Sequence, residues 1–230
     1  MTDSREWTLE GHGGRLVART WAGGADPSHV VLLAHGYGEH IGRYERVADA
    51  LVRNGAVVYA VDHVGHGRSE GDRVLVHRAA GGVGFFAVQI AVALGAHVIG
   101  TASPRNHGFL KDAGVAEVLD YSAGPISAQL SEPVDAVLDL VGGDTLADAP
   151  RQVKDPSRIV SIVDPVVNEM GGRYVFVRPD QHDLEELGRM ADAGQLRVPI
   201  AKAFPLEQIA DAHRLVAEGH VRGKVVVTLR

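Results

Sequence analysis

Hydrophobic and polar positions alternate along the chain in blocks that are typical of an α/β protein. Short apolar runs are bounded by Gly, Pro, Asp or Asn, and most are continuously hydrophobic, as buried parallel strands are. Helical patterns lie between several of them, at residues 44–53, 83–94 and 184–193. The predicted strands are residues 30–34, 57–61, 74–77, 97–101, 117–120, 136–141, 158–163, 174–177 and 225–229. This alternation predicts an α/β fold with a doubly wound parallel sheet.

The first residues have a different pattern. Residues 7–10 and 16–21 are strand-like and flank the glycine-containing segment 11–14. Two strands joined by such a short segment predict an antiparallel hairpin.

Composition and charge exclude several classes of function. The 230 residues suffice for one large or two small domains. The 29 acidic and 23 basic residues are interspersed, so no basic stripe is available for a nucleic acid or an anionic membrane surface. Cysteine is absent, which excludes disulfides, thiolate zinc sites and a cysteine nucleophile. No signal core and no apolar run of about 18 residues is visible, which predicts a cytoplasmic protein.

A glycine-rich turn stands between the predicted strand 74–77 and the helical pattern that follows it. Read against the pattern G-x-G-x-x-G, its three positions are Ala79, Gly81 and Gly84. Gly81 lets a pyrophosphate approach the backbone, and Gly84 lets the helix pack closely on the strand. The N–H groups at the helix start attract the diphosphate charge. We therefore predict a nicotinamide dinucleotide site over Gly81, Gly82, Val83 and Gly84, the alternative being a purely structural turn.

The end of the next strand favours NADP over NAD. An NAD-preferring domain carries an acid about twenty residues beyond the glycine turn, where this chain has Ala102. Ser103, Arg105 and Asn106 follow and offer a hydroxyl, a guanidinium and an amide to a 2′-phosphate. In the alternative interpretation, Ser103 and Asn106 cap the next helix and Arg105 is a solvated charge.

Five motifs occur in an order that resembles the medium-chain dehydrogenase/reductase superfamily, and they are most similar to its zinc-independent, quinone-reductase-like branch. The resemblance extends from about Gly71 to the end of the chain, and it implies a Rossmann domain that binds NADP. The motifs are Ala-Ala-Gly-Gly-Val-Gly (79–84), Gly-Thr-Ala-Ser (100–103), Val-Leu-Asp-Tyr (118–121), Asp-Leu-Val-Gly-Gly (139–143) and Gly-His-Val-Arg-Gly-Lys-Val, which ends at 225.

The same resemblance implies roles for individual residues. It places Tyr121 near the adenosine 2′-phosphate. It places Val141 and Val163 beneath the nicotinamide, and Phe176 and Val177 against the nicotinamide ring or its carboxamide. One residue departs from the pattern, because Arg78 stands where a glycine is usual. Arg78 either assists the diphosphate electrostatically or crowds it.

The first seventy residues resemble a different family. Residues 32–44 (Leu-Leu-Ala-His-Gly-Tyr-Gly-Glu-His-Ile-Gly-Arg-Tyr) and 61–71 (Val-Asp-His-Val-Gly-His-Gly-Arg-Ser-Glu-Gly) are similar to the opening of an α/β-hydrolase of the monoacylglycerol-lipase type. That resemblance implies an oxyanion-hole N–H at Tyr37. We therefore predict a truncated hydrolase-like segment at 1–71, with a partial hydrolase-like sheet, and an NADP-binding Rossmann domain at 72–230.

Hydrolase or metal chemistry in the N-terminal segment is disfavoured. Ser69 occupies the only G-x-S-x-G, but no helical pattern follows it, so it does not sit on a nucleophile elbow. The pairs His35 with His40 and His63 with His66 lack helical i, i+4 spacing, so loop histidines are favoured over metal ligands. We predict no metal site.

The join between the segments 1–71 and 72–230 has a physical consequence for the predicted strands. Strand 30–34 has lost the elbow-bearing neighbour that a hydrolase sheet would give it, while strand 74–77 is already flanked on both sides in a Rossmann sheet. We expect the dinucleotide fold to keep strand 74–77. The N-terminal piece then docks as a marginal second sheet or pairs through its edge with another copy of the chain, as a homodimer.

The sequence therefore favours an NADP(H)-binding, quinone-reductase-like oxidoreductase that transfers hydride to a carbonyl or activated alkene, such as a small quinone. Catalytic side chains are not identifiable, because in this family much of the substrate pocket comes from a domain that these residues do not resemble. Two alternatives remain: an inactive chimera or cofactor-binding module, and an ester hydrolase.

Overall fold

The protein forms two compact units. A computed structural model describes residues 2–11, 14–24, 26–35, 40–63, 65, 71–219 and 221–229. Residues 1–72 with 94–97 form the first unit, and residues 73–93 with 98–230 form the second.

The first unit is built on a four-stranded sheet with the order β1-β2-β4-β3. Strands β1 and β2 form the predicted antiparallel hairpin, and β2 runs antiparallel to β4. Strand β3 pairs in parallel with β4 alone, so it lies at an edge of the sheet among the described strands. The elements are β1 (Asp3–Gly11), β2 (Gly14–Ala22), β3 (His29–Leu33), α1 (Glu45–Arg53) and β4 (Ala56–Val61).

Helix α1 covers one face of this sheet. Its apolar residues Ala48 and Val52 pack in a cluster with Trp21 and Val58. The indole N–H of Trp21 donates to Oε2 of Glu45 at 2.7 Å, which satisfies the one polar atom of that buried ring.

The second unit is a six-stranded parallel sheet flanked by helices, with the order β10-β9-β8-β5-β6-β7. A separate parallel pair, β11 and β12, accompanies it. The strands are β5 (Arg73–Val76), β6 (His97–Thr101), β7 (Glu117–Leu119), β8 (Ala136–Asp139), β9 (Ile159–Ser161), β10 (Arg173–Tyr174), β11 (Ile200–Pro205) and β12 (Lys224–Thr228). The helices are α2 (Gly84–Ala93), α3 (His107–Lys111), α4 (Ile126–Gln129), α5 (Gly143–Asp148), α6 (Gln181–Asp192) and α7 (Ile209–Ala217).

The strand order confirms the predicted fold class. Strand β5 lies between β8 and β6, so the parallel sheet keeps it and the N-terminal strands form a separate, smaller sheet. The main apolar cluster of the second unit includes Leu75, Ile99, Val137 and Ile159. Crossover connections in such a sheet leave the carboxyl ends of the strands at one edge, where ligands bind.

Two strand predictions need correction. The sequence did not predict strand β11. Phe204 is its one buried residue and the other five are exposed, so the strand has no buried apolar run to detect. The strand predicted at 174–177 ends at Tyr174, and Phe176 and Val177 lie beyond it with exposed fractions of 73% and 75%.

Among the described helices, none is long and apolar enough to cross a bilayer.

Candidate functional site

The glycine-rich turn connects β5 to α2, as predicted. A Cβ on Gly84 would lie 2.3 Å from the carbonyl oxygen of Arg78 and 2.9 Å from Cα of Ala79, so only glycine permits this close approach. The N–H of Gly81 donates to the carbonyl of Arg78 at 3.0 Å. The N–H groups of Gly82, Val83 and Gly84 have no acceptor among the described residues. These three amides are therefore available to an anion at the start of α2.

A cavity of about 790 Å³ lies at the carboxyl ends of β5, β6 and β8, beside this turn. Its volume is within the range of small-molecule and cofactor sites. Six of the predicted site residues line it: Gly81, Ser103, Arg105, Asn106, Tyr121 and Val141. The structure thus gathers residues from four separate connections of the sheet around one space.

The other six predicted residues do not line the cavity. Gly82 faces β12, because a Cβ there would lie 3.3 Å from Nζ of Lys224. Gly84 is buried behind the turn and Val83 is 54% exposed. Val163 follows β9 and is 47% exposed, and Phe176 and Val177 are solvent-exposed after β10. Their cofactor contacts remain predictions.

The segment after β6 does not use its polar side chains as helix caps. Neither Ser103 nor Asn106 makes a capping hydrogen bond with its side chain. Instead, Nδ2 of Asn106 lies 3.4 Å from Oγ of Ser103. The capping alternative is therefore wrong, and these groups stay beside Arg105 in the cavity wall.

Arg222 supports this segment and was missed from the sequence. Its Nε donates to Oδ1 of Asn106 and its Nη2 donates to the carbonyl of Arg105, both at 2.6 Å. The partners are 116 and 117 residues away in the chain, so no local pattern connects them. The one available signal was that Arg222 belongs to the closing motif of the family resemblance.

Two buried side chains hold the connections after β8 and β9. The carboxylate of Asp139 accepts hydrogen bonds from the N–H groups of Val141 and Gly142, each at 3.1 Å, and from Oγ of Ser161 at 2.7 Å. Oγ of Ser161 in turn accepts from the N–H of Val163 at 3.3 Å. One network therefore positions both valines that were predicted to lie beneath the nicotinamide.

A buried polar chain forms another part of the cavity wall. Nε2 of His77 and Oε1 of Gln152 are 2.9 Å apart, and Nε2 of Gln152 donates to Asp148 at 3.0 Å. His77 therefore carries its proton on Nε2. Burial lowers the pKa of His77, because desolvation outweighs the hydrogen bond to Gln152 and the charge of Asp139. Burial alone would raise the pKa of Asp148, but hydrogen bonds from Ser127 and Gln152 bring it below its usual range.

The described residues do not fit a metal centre. No group of three or more His, Cys, Asp or Glu side chains occurs among them. Nε2 of His35 accepts a hydrogen bond from the N–H of His63 at 2.9 Å, which is a structural contact. Tyr37, His66 and Ser69 lie outside the described residues.

Two family models match the chain. The model for zinc-binding dehydrogenases matches residues 113–227, and the model for serine aminopeptidases of family S33 matches residues 25–83.

Similar proteins divide in the same way. NAD(P)H oxidoreductase RTN4IP1 of Danio rerio is 33% identical over 189 residues, covering 68% of this chain and 49% of the relative. Monoacylglycerol lipase of Mycolicibacterium smegmatis is 53% identical over 70 residues, covering 30% of this chain and 25% of the relative. The chain thus spans about half the length of the oxidoreductase relative.

Solved structures resemble the second unit. The quinone oxidoreductase of Coxiella burnetii has a TM-score of 0.66 and 37% identity, covering 70% of this chain and 54% of the other. The Escherichia coli quinone oxidoreductase complexed with NADPH has a TM-score of 0.58 and 25% identity, covering 68% and 57%. The chain therefore belongs to the zinc-binding dehydrogenase family of the medium-chain dehydrogenase/reductase superfamily, is related to its quinone oxidoreductases, and also carries a hydrolase-like N-terminal segment.

Proposed function

We propose that the chain binds NADP(H) in the cavity beside the glycine turn and transfers hydride to a carbonyl or activated alkene, such as a small quinone. The observation that carries this proposal is the placement of Arg105 and Ser103 in the cavity wall after β6, where Ala102 replaces the acid of an NAD site. A guanidinium beside a hydroxyl suits a 2′-phosphate and gives no advantage to NAD.

The residues present would hold such a cofactor as follows. The open amides of Gly82, Val83 and Gly84, at the start of α2, would attract the diphosphate charge. Ser103, Arg105, Asn106 and Tyr121 bind the adenosine 2′-phosphate. Val141 and Val163 would lie beneath the nicotinamide, and Phe176 and Val177 would lie against its ring or carboxamide. When bound, the cofactor supplies the hydride, so the chain's own contribution is to bind and orient it.

Cofactor preference is tested by titrating the full chain with NADPH and NADH while the fluorescence of the reduced nicotinamide is followed. Arg105→Ala should weaken NADPH binding at least tenfold, since a charge-assisted phosphate contact contributes roughly 1.5–3 kcal/mol. NADH binding should be unchanged. Arg189→Ala is the matched control, because Arg189 lies on α6 and pairs there with Glu186. No binding of either nucleotide by the wild-type chain would refute the proposal.

Turnover is a separate question, because the chain spans about half of its oxidoreductase relative. We expect NADPH-dependent reduction of a small benzoquinone, measured as loss of NADPH absorbance. Binding of NADPH without quinone reduction would leave a cofactor-binding module and remove the enzymatic part of the proposal.

A further inference from the structure

Arg78 has a backbone conformation that favours glycine. Its φ is +52°, and no other non-glycine residue in the described part of the chain has a positive φ. The conformation is held from both sides, because its N–H donates to Oγ1 of Thr101 at 3.0 Å and its carbonyl accepts from the N–H of Gly81 at 3.0 Å. A side chain that leaves such a pinned backbone starts in a fixed direction.

That direction takes the arginine across the glycine turn. Cγ and Nε of Arg78 lie 3.4 and 3.6 Å from the point where a Cβ of Gly81 would stand. Its Nη2 lies 4.0 Å from the corresponding point at Gly219, and Arg78 lines the cavity between them. No ion pair or hydrogen bond joins its guanidinium to a described residue. The acids that line the cavity, Asp144 and Asp148, both lie on α5.

The turn also lacks one donor that a diphosphate would use. Because the N–H of Gly81 is bound to the carbonyl of Arg78, it cannot serve an anion in the cavity. The five N–H donors of an unpaired guanidinium over the same glycine compensate for that loss. Arginine binds phosphate oxygens in a bidentate geometry that a bare amide cannot provide.

We propose that Arg78 binds the diphosphate of a pyridine dinucleotide, in place of the glycine that is usual at this position. The inference rests on the proposed function, since it assigns a residue to the same cavity. It predicts that Arg78 contributes equally to NADP and NAD, because the diphosphate is common to both. Arg105 acts on the 2′-phosphate and separates them.

The test compares three variants with three probes by isothermal titration calorimetry on the full chain. Arg78→Gly should weaken NADPH and NADH by similar factors of about five to twenty, and leave 2′-AMP, which has no diphosphate, within about twofold of wild type. Arg105→Ala should weaken NADPH and 2′-AMP and leave NADH unchanged. Arg78→Lys should restore part of the loss, because it keeps the charge without the bidentate geometry.

Folding does not obscure this test, since glycine adopts a positive φ without strain and Arg78→Gly should melt at or above the wild-type temperature. Unchanged or tighter binding of NADPH and NADH by Arg78→Gly would show that the arginine crowds the site and would overturn the inference. Equal weakening of 2′-AMP would also overturn it, because Arg78 would then act on the whole cavity. If wild type binds neither dinucleotide, the proposed function fails first and the inference fails with it.

Discussion

Single side chains in the second unit show how burial changes chemistry at this cavity. His77 is fully buried, has one hydrogen bond through Nε2, and has no partner for Nδ1 among the described residues. A protonated imidazole there would place a charge in the core with one acceptor to stabilise it. The lowered pKa of His77 follows from this desolvation.

The lowered pKa of His77 sets the direction in which the stability of the protein changes with pH. The folded state of His77 binds a proton less readily than the unfolded state, whose pKa is near 6.5. The contribution of neutral His77 to the free energy of unfolding is therefore complete above about pH 6.5. It is lost as the pH falls below that value, by at most about 1.4 kcal/mol per pH unit. Urea unfolding at about pH 7.5 and about pH 5.5 measures the loss.

His77→Gln keeps a side-chain amide that can donate to Gln152 and removes the titration. We expect this variant to lose less stability than wild type over the same interval. An equal pH dependence in the two proteins would assign the effect to the other eleven of the chain's twelve histidines.

Placement after a predicted strand led to Ser103 and Arg105, and the family resemblance led to Tyr121; all three line the cavity, because the carboxyl ends of parallel strands lie at one edge. Asp139, Ser161 and Arg222 were not found as site residues. Asp139 and Ser161 are far apart in sequence and meet only because β8 and β9 are neighbours. Asp139 and Arg222 stand in motifs of the family resemblance, but the contacts that give them a role form only in the folded protein.

At the scale of helices and strands, the connection from β5 to α2 requires glycine at position 84, although the φ of Gly84 is not positive. Gly84 is required by space, since its Cβ would overlap the carbonyl of Arg78 and Cα of Ala79. Gly188 is also helical, in α6, but nothing lies within 4 Å of its Cβ position. The two positions form a matched pair.

Alanine at these two glycines should have opposite effects. Gly84→Ala should destabilise the protein by about 1–3 kcal/mol through overpacking. Gly188→Ala should stabilise it by roughly 0.5–1 kcal/mol, because alanine loses less conformational freedom in a helix. Urea denaturation measures both changes, and a neutral Gly84→Ala would show that α2 is free to move away from β5.

For the chain as a whole, the consequence of combining two families appears at strand β3. It is at an edge of its sheet among the described strands, and its residues Val30 and Leu32 are 61% and 81% exposed. The opposite edge, β1, is instead rich in charged residues, with Asp3, Arg5, Glu6 and Glu10. Charged edges resist strand pairing between molecules, whereas uncharged apolar edges favour it.

We therefore expect concentration-dependent self-association through β3, measured by light scattering after size-exclusion chromatography. Leu32→Lys should shift the population toward monomer with little change in stability, because Leu32 is exposed. Leu9→Lys on β1 is the control and should leave association unchanged. A wild-type chain that is monomeric at every concentration would contradict this expectation.

Local pattern was sufficient for the parallel sheet and for the glycine turn between β5 and α2. Both depend on neighbours in sequence: apolar runs, glycine spacing and turn residues. The separate character of the first seventy residues came from their resemblance to an α/β-hydrolase. The pairing of β11 with β12, the bridge from Arg222 to the segment after β6, and the path of the Arg78 side chain across Gly81 required the folded protein. The reason is physical, since strand pairing, hydrogen bonds between distant side chains and side-chain direction arise from contacts between residues that are far apart along the chain.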